Sequence, residues 1–233
     1  EGRIGLGESC IETEAGTRID RRFEVGECAP LSSSTVTAEA PSSIGNVATG
    51  YDIVGHTIEG PTDRISVRRT DDRAVRVCSV SGCVLDLPID PARNTALRAL
   101  DALRLERNLN FGFEIEINKG IPLGSGMGGS AASAVAALVA ANALLDMPLM
   151  AEELYPFALE GEAAASGGLH GDNVGPMLLG GLTLATRTRL IRLPVPEGLT
   201  CILVHPHLVL KTRQAREVLI APYAISDFVG QSA

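Results

Sequence analysis

Between residues 122 and 133 the chain reads Pro122-Leu123-Gly124-Ser125-Gly126-Met127-Gly128-Gly129-Ser130-Ala131-Ala132-Ser133, a run that constrains the fold more than any other. Four glycines within six positions permit a tight turn and leave backbone without Cβ atoms, so a ligand can come close. An Ala- and Val-rich stretch with almost no charge follows. It predicts a helix from about Gly128 to Leu145, buried on most sides. The first amides of such a helix have no intrahelical acceptor, and together with the helix dipole they form an anion site. Ser130 falls near the helix start, where its hydroxyl can meet a phosphate or a metal ion. The run lacks the Gly-Lys-Ser/Thr of a Walker loop. It has the form G-x-G-x-x-G, but about twenty residues further on lies apolar helix, where a dinucleotide site needs an acidic residue. Taken alone, the run also fits a turn with a purely structural role.

The surrounding pattern is that of an α+β enzyme. Residues 64–69 read as an edge or half-exposed strand and 74–79 as another. Asn94 is a plausible cap for a helix from Thr95 to about Arg107. Phe111, Phe113, Ile115 and Ile117 alternate with Glu114 and Glu116, which predicts a strand with one wet face in an antiparallel or mixed sheet. A further helix is expected over 151–165, where Pro156 should kink it or shift its start. Strands are expected near 181–187 and 200–205, and a last helix over 212–219. Residues 1–33 show no clean helix or strand and read as a flexible extension.

The formal net charge of −8 offers no basic field for nucleic acid. The longest apolar run falls short of a membrane span. Five cysteines, at 10, 28, 78, 83 and 201, have no zinc spacing and read as reduced structural thiols of a cytoplasmic protein.

The loop and its helix strongly resemble the central phosphate-binding motif of the small-molecule kinases that phosphorylate galactose, homoserine, mevalonate and phosphomevalonate. That resemblance implies ATP as phosphoryl donor, held by Pro122, Gly124, Ser125, Gly126, Met127, Gly128, Gly129 and Ser130. It makes Ser130 a ligand of Mg²⁺ as well. The family usually has two serines before the alanines, and Gly129 stands here in place of the first.

Two further stretches resemble the homoserine-phosphorylating branch. In Ala40-Pro41-Ser42-Ser43-Ile44-Gly45-Asn46-Val47-Ala48-Thr49-Gly50-Tyr51-Asp52-Ile53-Val54-Gly55, the resemblance makes Asn46 and Asp52 contacts of L-homoserine. Asp52 suits an α-ammonium, and Asn46 can both donate and accept. An Asx-capped turn is the plainer reading. The stretch departs from the family at Gly45, usually Ala, and at Ala48, usually Gly. The second stretch runs from Glu160 to Pro176 and includes Ser166-Gly167-Gly168-Leu169-His170-Gly171-Asp172-Asn173-Val174-Gly175. The resemblance makes Glu162 a magnesium ligand and His170 a substrate contact. Asp172 and Asn173 then lie beside the reacting hydroxyl, Asn173 favouring direct transfer and Asp172 serving as base if one is used. A surface carboxylate and a turn histidine are the plainer alternatives for Glu162 and His170.

Weaker matches make Thr212 and Arg216 substrate contacts on one helix face and place Asn94 near the adenine, although Asn94 is equally a helix cap. The implied reaction is phosphorylation of L-homoserine in threonine biosynthesis, with a homodimer usual for the family. The implied fold is a two-layer α/β ATP-binding domain over 34–175 followed by a second α/β domain, begun at 176–233 and expected to be truncated. Another kinase of the family and a non-catalytic fragment remain alternatives.

Overall fold

The computed structural model of the chain describes residues 22–24 and 35–204. In chain order the elements are β1 (Arg22–Glu24), β2 (Val36–Ile44), β3 (Val54–Thr70), β4 (Val75–Gly82), α1 (Thr95–Glu106), β5 (Gly112–Lys119), α2 (Gly129–Asn142), α3 (Ala151–Ser166), α4 (Val174–Leu179), β6 (Leu182–Ala185) and β7 (Leu190–Arg192). All these strands join one seven-stranded sheet in the order β1-β4-β5-β3-β6-β7, with β2 also on β3. Pairing is antiparallel except between β4 and β5, which the helix α1 connects. The result is the expected two-layer α+β architecture, a mixed sheet with its long helices on one face.

Strand parity builds the core. Ile65 faces Ile117 and Val67 faces Ile115 across β3 and β5, and all four side chains are buried. On the other face Arg68 faces Glu114. That glutamate is not on a wet face as expected. It is 5% exposed because Arg68 and Arg76 both close over it as ion pairs. Residues 64–69 form a half-exposed strand, with Ile65 and Val67 buried and Arg64 and Arg69 exposed, and not an edge: β3 pairs with β2 along its length, with β5 over residues 64–70 and with β6 over residues 54–56.

Helix α2 has ten buried residues and no charged side chain at all. Its small side chains allow close crossings. At Gly161 of α3, an added Cβ would lie 2.9 Å from the Cβ atoms of both Ala134 and Ala99, so α1, α2 and α3 meet there nearly backbone to backbone. Helix α3 starts at Ala151, so Pro156 does not shift it. Pro156 and Glu152 are both exposed, which leaves the carbonyl that loses its donor open to water.

Several expectations need correction. Residues 22–24 lie within the region read as having no strand, yet they pair with Ser79–Ser81 of β4. β6 and β7, both beyond residue 176, join the same sheet as the strands before it. Residues 200–204 form no strand, since none of the described strands pairs with them, and Ile202 and Val204 are 86% and 82% exposed. Cys78 is disulfide-bonded, against the reading of reduced thiols, while Cys83 and Cys201 retain their thiols. The helix expected over 212–219, with Thr212 and Arg216, lies outside the described residues. Among the described residues no helix is long and apolar enough to cross a membrane.

Candidate active site

The chain leaves β5 at Lys119 and enters the glycine loop, whose tip is exposed at Leu123, Gly124 and Gly126. Buried Met127 anchors the far side, its carbonyl accepting from the amide of Ser43 at 3.1 Å. Gly124, Gly126 and Gly128 have φ of 67°, 73° and 68°, the left-handed region that a side chain disfavours. Gly128 is the N-cap of α2 and has no side chain to satisfy the helix start. The first intrahelical bond runs from Ala132 N to Gly128 O at 2.9 Å. The amides before it are therefore available to an anion.

Ser130 lies in the first turn of α2, and its Oγ donates to Oε2 of Glu162 at 2.8 Å. Glu162 is 8% exposed and is carried there by α3, immediately after the close crossing at Gly161. The carbonyl of Ser130 accepts from Thr95 Oγ1 at 2.9 Å, which ties the start of α1 to the loop. Asn94, one residue earlier, caps α1: its Oδ1 accepts from Ala96 N at 3.0 Å and Leu97 N at 3.2 Å, and its Nδ2 donates to Pro88 O. The helix-cap reading of Asn94 thus describes its geometry.

A second group of polar side chains folds onto the same loop. The amide of Asn46 donates to Asp172 Oδ2 at 3.1 Å, and Asn46 Oδ1 accepts from the amide of Asp52 at 2.9 Å. Asp52 Oδ2 pairs with His170 Nδ1 at 3.3 Å. Asn173 Oδ1 accepts from Ser43 Oγ at 2.8 Å. Five residues singled out in the sequence, Asn46, Asp52, His170, Asp172 and Asn173, are therefore one linked cluster. The phosphate loop touches it at Gly128, where an added Cβ would lie 2.5 Å from Ser43 Oγ and 2.8 Å from Asn173 Oδ1.

Asn46, Ala48 and Asp52 all have positive φ, at 56°, 53° and 61°. For alanine this conformation is strained, in line with the family's glycine at 48. Gly45 has the opposite explanation: a Cβ there would lie 2.1 Å from Asp172 Oδ2, so glycine allows Asp172 to sit against the loop.

Asp172 is 3% exposed. Burial raises its pKa, and the nearby Asp52 carboxylate raises it further. The amides of Asn46 and Asn173 and the charge of His170 oppose the rise. Burial, assisted by Asp172, also pushes up the hydroxyl of Tyr155, which donates to Thr186 O at 2.7 Å.

For a divalent cation the donor set fits Mg²⁺ better than a softer ion. Ser130 and Glu162 bring one hydroxyl and one carboxylate oxygen together, and hard ions take oxygen. Among the described residues no cluster of three or more His, Cys, Asp or Glu offers an all-protein metal cage.

Ser43, Thr95, Asp63, Lys119 and Ser133 were not singled out by sequence, yet all five bond to the loop, to the first turns of α2 or to the cluster beside them. Lys119 and Asp63 carried a usable signal, since each has the parity of the buried residues on its strand.

Known proteins resemble this chain. Residues 94–181 match the model of the GHMP kinases N terminal domain. The homoserine kinase of Xanthomonas campestris pv. campestris is 50% identical over 216 residues, covering 92% of this chain and 67% of that protein. The homoserine kinase of Xylella fastidiosa is 54% identical over 196 residues, covering 84% of this chain and 61% of that one. The chain thus spans roughly two thirds of the length of these relatives. The crystal structure of homoserine kinase from Cytophaga hutchinsonii superposes with a TM-score of 0.74 at 33% identity, covering 88% of this chain and 66% of that chain. The mevalonate kinase of Methanococcus jannaschii, at 19% identity and a TM-score of 0.54, shares the fold. By its match to the family model and to these relatives, the chain belongs to the GHMP kinase family, among the homoserine kinases.

Proposed function

We propose that this protein transfers the γ-phosphoryl group of ATP to the side-chain hydroxyl of L-homoserine, giving O-phospho-L-homoserine. The observation that carries the reading is the meeting at Gly128. There a backbone anion cradle and a cluster of polar side chains lie in van der Waals contact. Phosphoryl transfer depends largely on positioning two reactants and neutralising charge.

In this reading the amides of the loop and of the first turn of α2 hold the β and γ phosphates. Ser130 and Glu162 hold Mg²⁺, which when bound neutralises phosphate charge. Asp52 takes the α-ammonium of homoserine and His170 orients it. Asn46 shapes the turn that presents Asp52. Asn173 lies nearest the loop and directs the acceptor hydroxyl toward the γ-phosphate. Asp172 is the available base: a raised pKa makes it a better proton acceptor than an ordinary carboxylate once ionised. Transfer without a strong base remains the simpler course, because a loose transition state asks little deprotonation of the attacking hydroxyl.

The test is ADP release by the purified protein with ATP, Mg²⁺ and a panel of L-homoserine, L-serine, mevalonate and galactose. Turnover with homoserine, abolished in Glu162→Gln, is expected. Turnover with a different acceptor alone would remove the substrate assignment, and absence of any turnover would remove the activity.

A further inference from the structure

Beneath the glycine loop lies a buried ion pair that the phosphate site does not itself use. The side chains of Asp63 and Lys119 are 0% and 1% exposed and form a salt bridge. Oδ1 of Asp63 accepts from the amides of Gly120 at 3.2 Å and Ile121 at 3.1 Å. Its Oδ2 accepts from Lys119 Nζ and from Ser133 Oγ, the latter at 2.7 Å. Lys119 Nζ also donates to the carbonyl of Gly129 at 2.7 Å and to Ser133 Oγ at 3.0 Å. The carboxylate and the ammonium are thus both fully engaged.

The partners fall on the two stems of the loop. Gly120 and Ile121 lead the chain in. Gly129 and Ser133 belong to the first turns of α2, through which it leaves. Burying two charges is expensive, and an apolar pair of similar volume often serves stability as well. The pair is also not needed to nucleate α2, which packs through ten buried residues.

Resting on the reading of this loop as the ATP site, we propose that Asp63, Lys119 and Ser133 form a positioning staple. They set the spacing between the stems of the phosphate loop, so that its free amides converge on one anion. None of the three touches nucleotide. They act through the backbone of residues 120–129.

The double variant Asp63→Asn/Lys119→Met separates this role from simple stability. It removes both charges, keeps an amide oxygen for Gly120 and Ile121, and takes away the donor to Gly129 O. Calorimetric titration with ATP·Mg²⁺ and thermal unfolding are measured on the whole protein. The expected result is a folded protein with Tm near the parent, ATP binding weaker by about tenfold, the scale of a lost charge-assisted hydrogen bond, and unchanged affinity for L-homoserine. A folded double variant with parental ATP affinity overturns the proposal. Should the double variant fail to fold, Ser133→Ala, which leaves the ion pair in place, decides. ATP binding weakened about threefold supports the staple, on the scale of one neutral hydrogen bond, and unchanged binding overturns it. If the parent protein binds no ATP, the proposed function and the staple fall together. ATP binding that survives both changes removes the staple alone.

Discussion

The two halves of the site are made from different parts of the polypeptide. The glycine-loop half is mostly backbone, glycine amides and a helix start, with Ser130 and Glu162 beside it. The acceptor half consists of side chains, with Asn46, Asp52, His170, Asp172 and Asn173 bonded to one another across segments more than a hundred residues apart. A backbone site is insensitive to pH and defined by conformation. A site of coupled carboxylates and an imidazole is tuned by charge. On the proposed function, backbone donors meet one reactant and charged side chains meet the other.

The largest expected effect breaks both halves at their contact. Gly128→Ala places a Cβ against Ser43 and Asn173 at a φ of 68°, displacing the loop and the acceptor cluster together. A misplacement of this order lowers kcat/KM by about a hundredfold, and steady-state kinetics with both substrates should show losses toward each.

Asp52→Asn sharpens the contrast. Loss of a charge-assisted contact to the ammonium should raise KM for L-homoserine by about tenfold or more, with KM for ATP unaltered. Equal losses for both substrates would mean that the halves are not independent.

The pH test comes next. Asp172 has a folded pKa raised above its ordinary value of 3.8. The folded protein therefore keeps this proton to higher pH than the unfolded chain does. The stability it contributes is present below the ordinary value and lost as pH rises through the raised one. Denaturation of the parent and of Asp172→Asn across the weakly acidic range should show the parent losing stability relative to the variant as pH increases. A difference that is flat with pH would contradict the assigned environment.

The smallest effect concerns strain. Ala48→Gly relieves an alanine held at a φ of 53°, which should raise unfolding free energy by about 1 kcal/mol. Urea denaturation measures it, and homoserine affinity need not fall with it.

Much of this was legible in local pattern. Asn94 as a cap, α1, the strand at Phe113–Ile117 and the buried charge-free α2 all follow from spacing and composition, since each depends on neighbours a few residues away. The phosphate loop was legible for the same reason: glycines before a helix act locally. The acceptor residues were named through a resemblance, because nothing in the spacing of Asn46, Asp52 and His170 brings them together. Glu114 was misread because its exposure depends on Arg68 and Arg76 from two other strands. Of the edge or half-exposed strand read at residues 64–69, the half-exposed reading holds and the edge reading fails, as the partners on both sides of β3 are non-local facts. The short strand at Arg22–Glu24 carries too few residues for an alternation to register.

By itself the amino-acid sequence determined most of the long helices and strands, where the glycine-rich turn lies, and that the protein is an acidic α+β chain. Those properties rest on backbone sterics and periodicity within a few residues. The tertiary structure decided that Lys119 and Asp63 meet beneath the loop, that Gly161 lets Glu162 reach Ser130, and that Asp172 is buried beside Asp52. Burial, charge coupling and pKa depend on what packs around a group, and strands and helices distant in the chain supply that surrounding only once they fold together.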